Sequence, residues 1–180
     1  MALAAVAAPS AAEIVASSEN GFVSQNSATV TATPHEVWRA LIAPASWWNS
    51  DHTYSANAAN LSLDATAGGC FCEVLPPQTA GEQAGSVQHA VVVQALPGAA
   101  LRLRGGLGPL QAEPATGVLT IQLAPVDGGT RISWEYNVGG AMRFPVSVIA
   151  PAVDGVMAQQ LAGLVSHLET AGLGTGQRPL

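Results

Sequence analysis

The chain has 180 residues, of which 48% are hydrophobic and only 10% charged, against roughly 25% charged in an average globular chain. That excludes a disordered polymer, and the length suits one domain with a proper core. Six arginines and no lysine face twelve acidic residues, giving a net charge of −6. So acidic a chain has no electrostatic footprint for nucleic acid or an anionic membrane, and no lysine for a Schiff base or a phosphate loop. No run reaches about 18 uninterrupted apolar residues, so no integral membrane segment is expected.

Residues 1–12, MALAAVAAPSAA, are alanine-rich and apolar, with Ser10 and Ala12 at the small positions of a cleavage region. They read as the remnant of an export signal or as a disordered tail. The first reading places the protein in the periplasm or outside the cell, the second in the cytoplasm. The basic start of such a signal is missing, the first cation being Arg39. Residues 21–33 mix β-branched and polar side chains and predict a first strand. Thr33-Pro34-His35-Glu36 is a capping box with proline at the first helical position, and Val37, Trp38, Leu41 and Ile42 form the stripe of a short helix ending before Pro44. Residues 45–54, ASWWNSDHTY, predict a second short helix or turn.

After Asn60 the period changes to two. Strands are predicted at 70–75, 86–95, 99–104, 116–124 and 130–138, with a hairpin turn at Asp127-Gly128-Gly129. In the last strand Ile132, Trp134, Tyr136 and Val138 share one face and Arg131, Ser133, Glu135 and Asn137 the other, which predicts an antiparallel sheet with one wet side. The chain then enters a long helix predicted over 151–171. Pro151 stands at its first position, and Val153, Val156, Met157, Leu161, Leu164 and Leu168 lie at helical spacing. At 1.5 Å per residue it spans roughly 31 Å, enough to cross a sheet. Residues 172–180 are glycine-rich and predict a flexible tail, which leaves 21–171 as a single domain.

Cys70 and Cys72 are the only cysteines. On a regular strand their Cα atoms would lie nearly 7 Å apart, at the edge of disulfide geometry, so they are expected to be separate thiols. A lone C-x-C pair is also too small for a zinc site, and neither a metal nor a cofactor is expected.

The order of strand, two short helices, antiparallel strands and one long terminal helix resembles the helix-grip fold of the SRPBCC superfamily. That group includes START lipid-transfer domains, polyketide cyclases and the birch-pollen-allergen proteins. The resemblance rests on the Thr33-Pro34-His35-Glu36-Val37-Trp38 helix entry, the Trp47-Trp48 pair, Gly68-Gly69 before a strand, the Gly128-Gly129-Thr130-Arg131 turn and the final helix. It covers residues 21–171. It implies an α+β fold, a curved antiparallel sheet wrapped around the last helix, with an internal cavity for an apolar ligand. Fold alone does not choose between carriers and enzymes in such a group.

Candidate ligand-binding residues follow from the apolar faces: Trp47, Trp48, Phe71, Leu103, Leu119, Trp134, Tyr136, Met157 and Leu161, with His52 at the mouth beside Asp51. A 70–75/86–95 hairpin that pairs Phe71 with His89 would put Phe71, Glu73, His89, Val87, Val91 and Val93 on one buried face. Glu73 and His89 would then be polar groups in an apolar interior, where a partner is required. Such a pair can orient a ligand or move a proton, and these two are the catalytic candidates. A one-residue slip would instead turn both outward. Gly105-Gly106-Leu107-Gly108-Pro109 lacks the spacing of a phosphate loop and is expected at the cavity rim, and no G-x-S-x-G elbow exists. His35 is expected to be solvated, and His167 suits the dipole at a helix end.

Three functions remain open on the sequence. The first is a carrier or binding protein for a small hydrophobic ligand, lipid-like or polycyclic. The second is a cyclase or dehydratase using Glu73 and His89 as an acid–base pair. The third is a module that binds a protein partner.

Overall fold

Strict alternation of buried and exposed side chains organises most of the molecule. The computed structural model describes residues 11–172. Its strands are β1 (Ala11–Ser18), β2 (Gly21–Val30), β3 (Leu61–Leu63), β4 (Cys70–Leu75), β5 (Gly85–Leu96), β6 (Ala100–Arg104), β7 (Ala115–Val126) and β8 (Gly129–Gly140). All pair antiparallel in one sheet of order β1-β2-β8-β7-β6-β5-β4-β3. The helices are α1 (Pro34–Leu41) and α2 (Val146–Thr170). The curved sheet grips α2, which is the α+β helix-grip architecture expected from the sequence.

Local signals account for most boundaries. Thr33 caps α1 through the reciprocal bonds of a capping box with Glu36. The β7–β8 hairpin turns on Asp127-Gly128, where Gly128 adopts a φ of 80° that a side chain would resist. The inner face of β8 carries Ile132, Trp134, Tyr136 and Val138, all buried, as its alternation predicts. Facing it across the core are Val153, Met157, Leu161, Leu164 and Leu168 of α2. By length and composition α2 could cross a membrane. In this fold its buried stripe is the counterpart of the sheet.

Four expectations need correction. The sheet begins at Ala11, because β1 folds back on β2 in a pairing the sequence pattern did not reveal; Ala11 and Ala12 belong to it. The export-signal reading otherwise falls on residues outside those described, as does the tail after Gly172. The terminal helix starts at Val146, with Pro145 as its N-cap, so Pro151 lies inside it. Pro151 and Ser147 are exposed, so the hydrogen bond that proline cannot donate is missing on the watered side of the helix, where solvent can serve the Ser147 carbonyl.

The register of β4 on β5 also differs from the expected hairpin. Phe71 pairs with Ala90 and Cys72 with Gln88, leaving His89 as the extra residue of a β-bulge. A second irregularity follows between Val92 and Gln94. Val87 and His89 therefore face inward, but Ala90 and Val92 replace Val91 and Val93 on the buried face. Finally, Cys70 and Cys72 are joined in a disulfide. β4 is not fully extended between the two cysteines, whose Cα atoms lie 5.4 Å apart, inside the disulfide range.

Candidate functional site

Most of the concave face is filled. Trp47 donates its indole N–H to the Ala40 carbonyl at 2.9 Å and meets Trp134 edge to face. With Leu103, Leu119 and Leu161 these rings form packed core. The open space lies at one end, between the first turns of α2, the 48–54 segment, β5 and the 107–109 loop. It is a cavity of about 310 Å³, at the small end of ligand pockets.

Apolar side chains dominate its wall. From α2 come Ile149, Val153, Val156 and Met157, and from the opposite side Trp48, Leu107 and Pro109. The 48–54 segment is held by local bonds that its polar residues make with the backbone. The Asn49 side chain accepts from the Asp51 amide at 3.0 Å, and the Trp48 indole donates to the His52 carbonyl at 3.2 Å. His52 reaches Gln159 of α2, 2.8 Å from Nε2 to Oε1, and the Tyr54 hydroxyl donates to the Gly108 carbonyl at 3.2 Å. These two contacts tie the segment to α2 and to the 107–109 loop.

The 105–109 loop is pinned from beneath. Tyr136 donates its hydroxyl to the Gly105 carbonyl and accepts from the Leu107 amide, both at 2.9 Å. Burial pushes the Tyr136 phenol up to about 12, against the opposing bond from Leu107, so it stays neutral and able to donate. A Cβ on Gly117 would collide with the Tyr136 ring, so glycine there makes room for this anchor. Beyond the loop, the carboxylate of Glu113 takes the backbone amide, Nε and Nη2 of Arg143, tying the 105–113 segment to the approach to α2. Hydrogen bonds from Arg143 hold the Glu113 carboxyl below its ordinary value.

Besides Asp51, His52, Thr53 and Tyr54 of the 48–54 segment, one buried polar pair stands against the cavity. His89 lines it, and its Nε2 lies 2.9 Å from Glu73 Oε2. Glu73 is 1% exposed and also accepts from the backbone amides of Tyr54 and Ser55. Burial alone would raise the Glu73 carboxyl, but the bonds from Ser55, Tyr54 and His89 outweigh it and hold the group below its usual value. An ionised carboxylate only accepts, so Nε2 carries the proton of this hydrogen bond. Nδ1 is then the ring nitrogen left for a ligand. Phe71 and Tyr54 flank the imidazole, with ring centroids 5.0 and 5.9 Å away.

Of the residues singled out by sequence, Trp48, His52, His89 and Met157 line the cavity, while Phe71 and Glu73 stand directly behind His89. Trp47, Leu103, Leu119, Trp134 and Leu161 lie in the packed core, and Tyr136 acts only through the loop it anchors. Sequence reasoning missed Tyr54, Thr53, Ile149 and Ala152. Ile149 was hidden by starting the helix at Pro151, although Pro145 before an apolar run marked the true start. Among the described residues no cluster of three or more His, Cys, Asp and Glu could hold a metal.

Residues 22–169 match the family described as polyketide cyclase / dehydrase and lipid transport. The chain belongs to this family. It is a member of the SRPBCC superfamily, as its order of elements implied. Solved structures share the fold at low identity. A protein of Rhizobium leguminosarum superposes with a TM-score of 0.62 at 18% identity, covering 91% of this chain and 99% of that one. One from Rhodobacter sphaeroides gives 0.57 at 21% identity, covering 89% and 99%. An AHSA1-like protein from Aeromonas hydrophila gives 0.52 at 16%, covering 87% and 99%. A search of the curated proteins finds no match.

Proposed function

We propose that this family member binds a small hydrophobic ligand, lipid-like or polycyclic, in the cavity beside α2, with His89 Nδ1 receiving its one polar group. The observation that carries this reading is the composition of the wall, a mainly apolar pocket with a single carboxylate-backed imidazole. Family membership supports hydrophobic-ligand binding in general terms. The Cys70–Cys72 disulfide supports an oxidising compartment.

The affinity comes from displaced water. About 150 Å² of apolar ligand surface removed from solvent contributes roughly 4 kcal/mol before the costs of association. The test is thermal unfolding with uncharged aromatic probes such as N-phenyl-1-naphthylamine. At about 100 times Kd, linkage adds about 2.7 kcal/mol, a rise of about 5–10 °C in Tm for a domain of this size. Val156→Glu, at the half-buried edge of the cavity, should abolish the rise and leave the unliganded Tm near that of the wild type. A panel of apolar ligands that never moves Tm would refute the proposal.

The Glu73–His89 pair favours a second reading, acid–base catalysis. With Nε2 bound to the carboxylate, a neutral ring can take a proton at Nδ1 from a bound carbon or oxygen acid, and Glu73 stabilises the imidazolium formed. His89→Ala separates the two readings. In an enzyme it removes turnover and leaves probe binding intact; in a carrier it changes affinity only.

A further inference from the structure

We propose that the Cys70–Cys72 disulfide is a reversible redox site, and that its reduction loosens the cavity wall that holds His89. This goes beyond ligand binding and does not depend on it.

The placement of the pair makes the connection. Alternation along β4 puts the two sulfurs on the outer face, half-buried, while Phe71 between them and Glu73 just after them point inward. The Phe71 ring lies against His89, centroids 5.0 Å apart, and meets Trp48 edge to face at 5.3 Å, and Glu73 holds His89 by its hydrogen bond. His89 itself is the bulged residue, with no partner across the β4–β5 ladder. Its position therefore rests on Phe71 and Glu73 instead of on strand register.

The cross-link holds these two supports in a contracted strand. Cys70 and Cys72 have Cα atoms 5.4 Å apart, against about 6.8 Å for two residues of a regular strand. Released, β4 can extend past Phe71 by about 1 Å, which moves Phe71 relative to Glu73 and shifts both against His89. The loop that the disulfide closes has one residue between its ends, so it restrains the unfolded chain little, and the fold should survive reduction.

The reductant required is a dithiol. Its thiolate attacks one sulfur, forming a mixed disulfide and freeing the other cysteine. Its second thiol then displaces the first cysteine. Two electrons and two protons pass to Cys70 and Cys72, and the dithiol leaves as its own disulfide.

The experiment uses the whole protein, oxidised or treated with dithiothreitol under native conditions, together with a Cys70→Ser/Cys72→Ser variant. Thiol alkylation counts free sulfhydryls, circular dichroism follows the fold, and NMR follows the His89 ring. Titration with N-phenyl-1-naphthylamine reads the cavity. The expected result is two new thiols in a folded protein, a displaced His89 signal, and probe affinity weakened at least about fivefold, the low end of coupling between sites. The double variant should behave as the reduced protein. By reciprocity, saturating probe should make the disulfide harder to reduce by the same factor. A disulfide that yields only on denaturation, a reduced protein that unfolds, or an unchanged His89 signal would each overturn the proposal. If the probe binds neither form, the ligand-binding reading fails, while the His89 signal still decides this one.

Discussion

Glu73 is a carboxylate folded into the interior with three donors aimed at it, from Tyr54, Ser55 and His89. Because its folded pKa lies below the unfolded value near 4.5, its ionised form contributes stability that is complete above that value. The contribution is lost as pH falls through the lowered folded pKa. Glu73→Gln should therefore flatten the acid side of a stability–pH curve measured by urea unfolding. Near neutrality it should cost about 1–3 kcal/mol, since one amide donor then faces the new NH₂ group. An acid limb unchanged by the substitution would show that Glu73 does not titrate as described. The nearness of Glu73 and His89 was legible from alternation and from the rule that buried polar groups need partners. Their actual register was not. A bulge at His89 preserves the inward aim of both residues while changing every pairing beyond it, and no local residue pattern announces it. Nor does any local pattern announce that β4 is short of full extension between Cys70 and Cys72, which strand arithmetic kept apart.

Among the elements, β7 and β8 meet the cavity only through the loop they support. Gly117 of β7 leaves the space in which the Tyr136 ring lies, and the ring's hydroxyl fixes both Gly105 and Leu107. Gly117→Ala should cost about 1–3 kcal/mol by overpacking and weaken probe binding, because the displaced ring releases the loop. Urea unfolding and probe titration on the same variant check both effects. A variant with wild-type stability would mean that the ring has room to move. The capping box of α1, the Asp127-Gly128 hairpin and the inner face of β8 were readable because each is a local signal. The start of α2 was missed because Pro151 fits a first helical position by composition, while the apolar run after Pro145 was not read as helix. β1 escaped because its alanines and serines carry no clear period, and its place depends on β2 beside it.

At the scale of the whole molecule, the candidate cavity lies at one end of a largely filled sheet–helix interface, and two contacts tie its 48–54 wall to α2 and to the 107–109 loop: His52 with Gln159 and Tyr54 with Gly108. A ligand that exchanges between these elements breaks one or both of them. Tyr54→Phe removes one bond worth about 1 kcal/mol, so stopped-flow measurements should show probe dissociation about fivefold faster with the ring still in place. An unchanged rate would mean that ligands pass elsewhere. The sheet order has a consequence in time as well as in space. β2 pairs with β8, so residues 21–30 wait for residues 130–139 before the middle of the sheet can close, and such distant pairing is slow. During synthesis the β1–β2 hairpin is made before the other strands, and it stays an open edge while the roughly 100 residues between β2 and β8 are added. The apolar α2 follows β8 in the chain, so the helix that the sheet grips is made after all eight strands. A nascent chain of this design is most open to aggregation just before its eighth strand appears, and that interval is when a chaperone would serve it best.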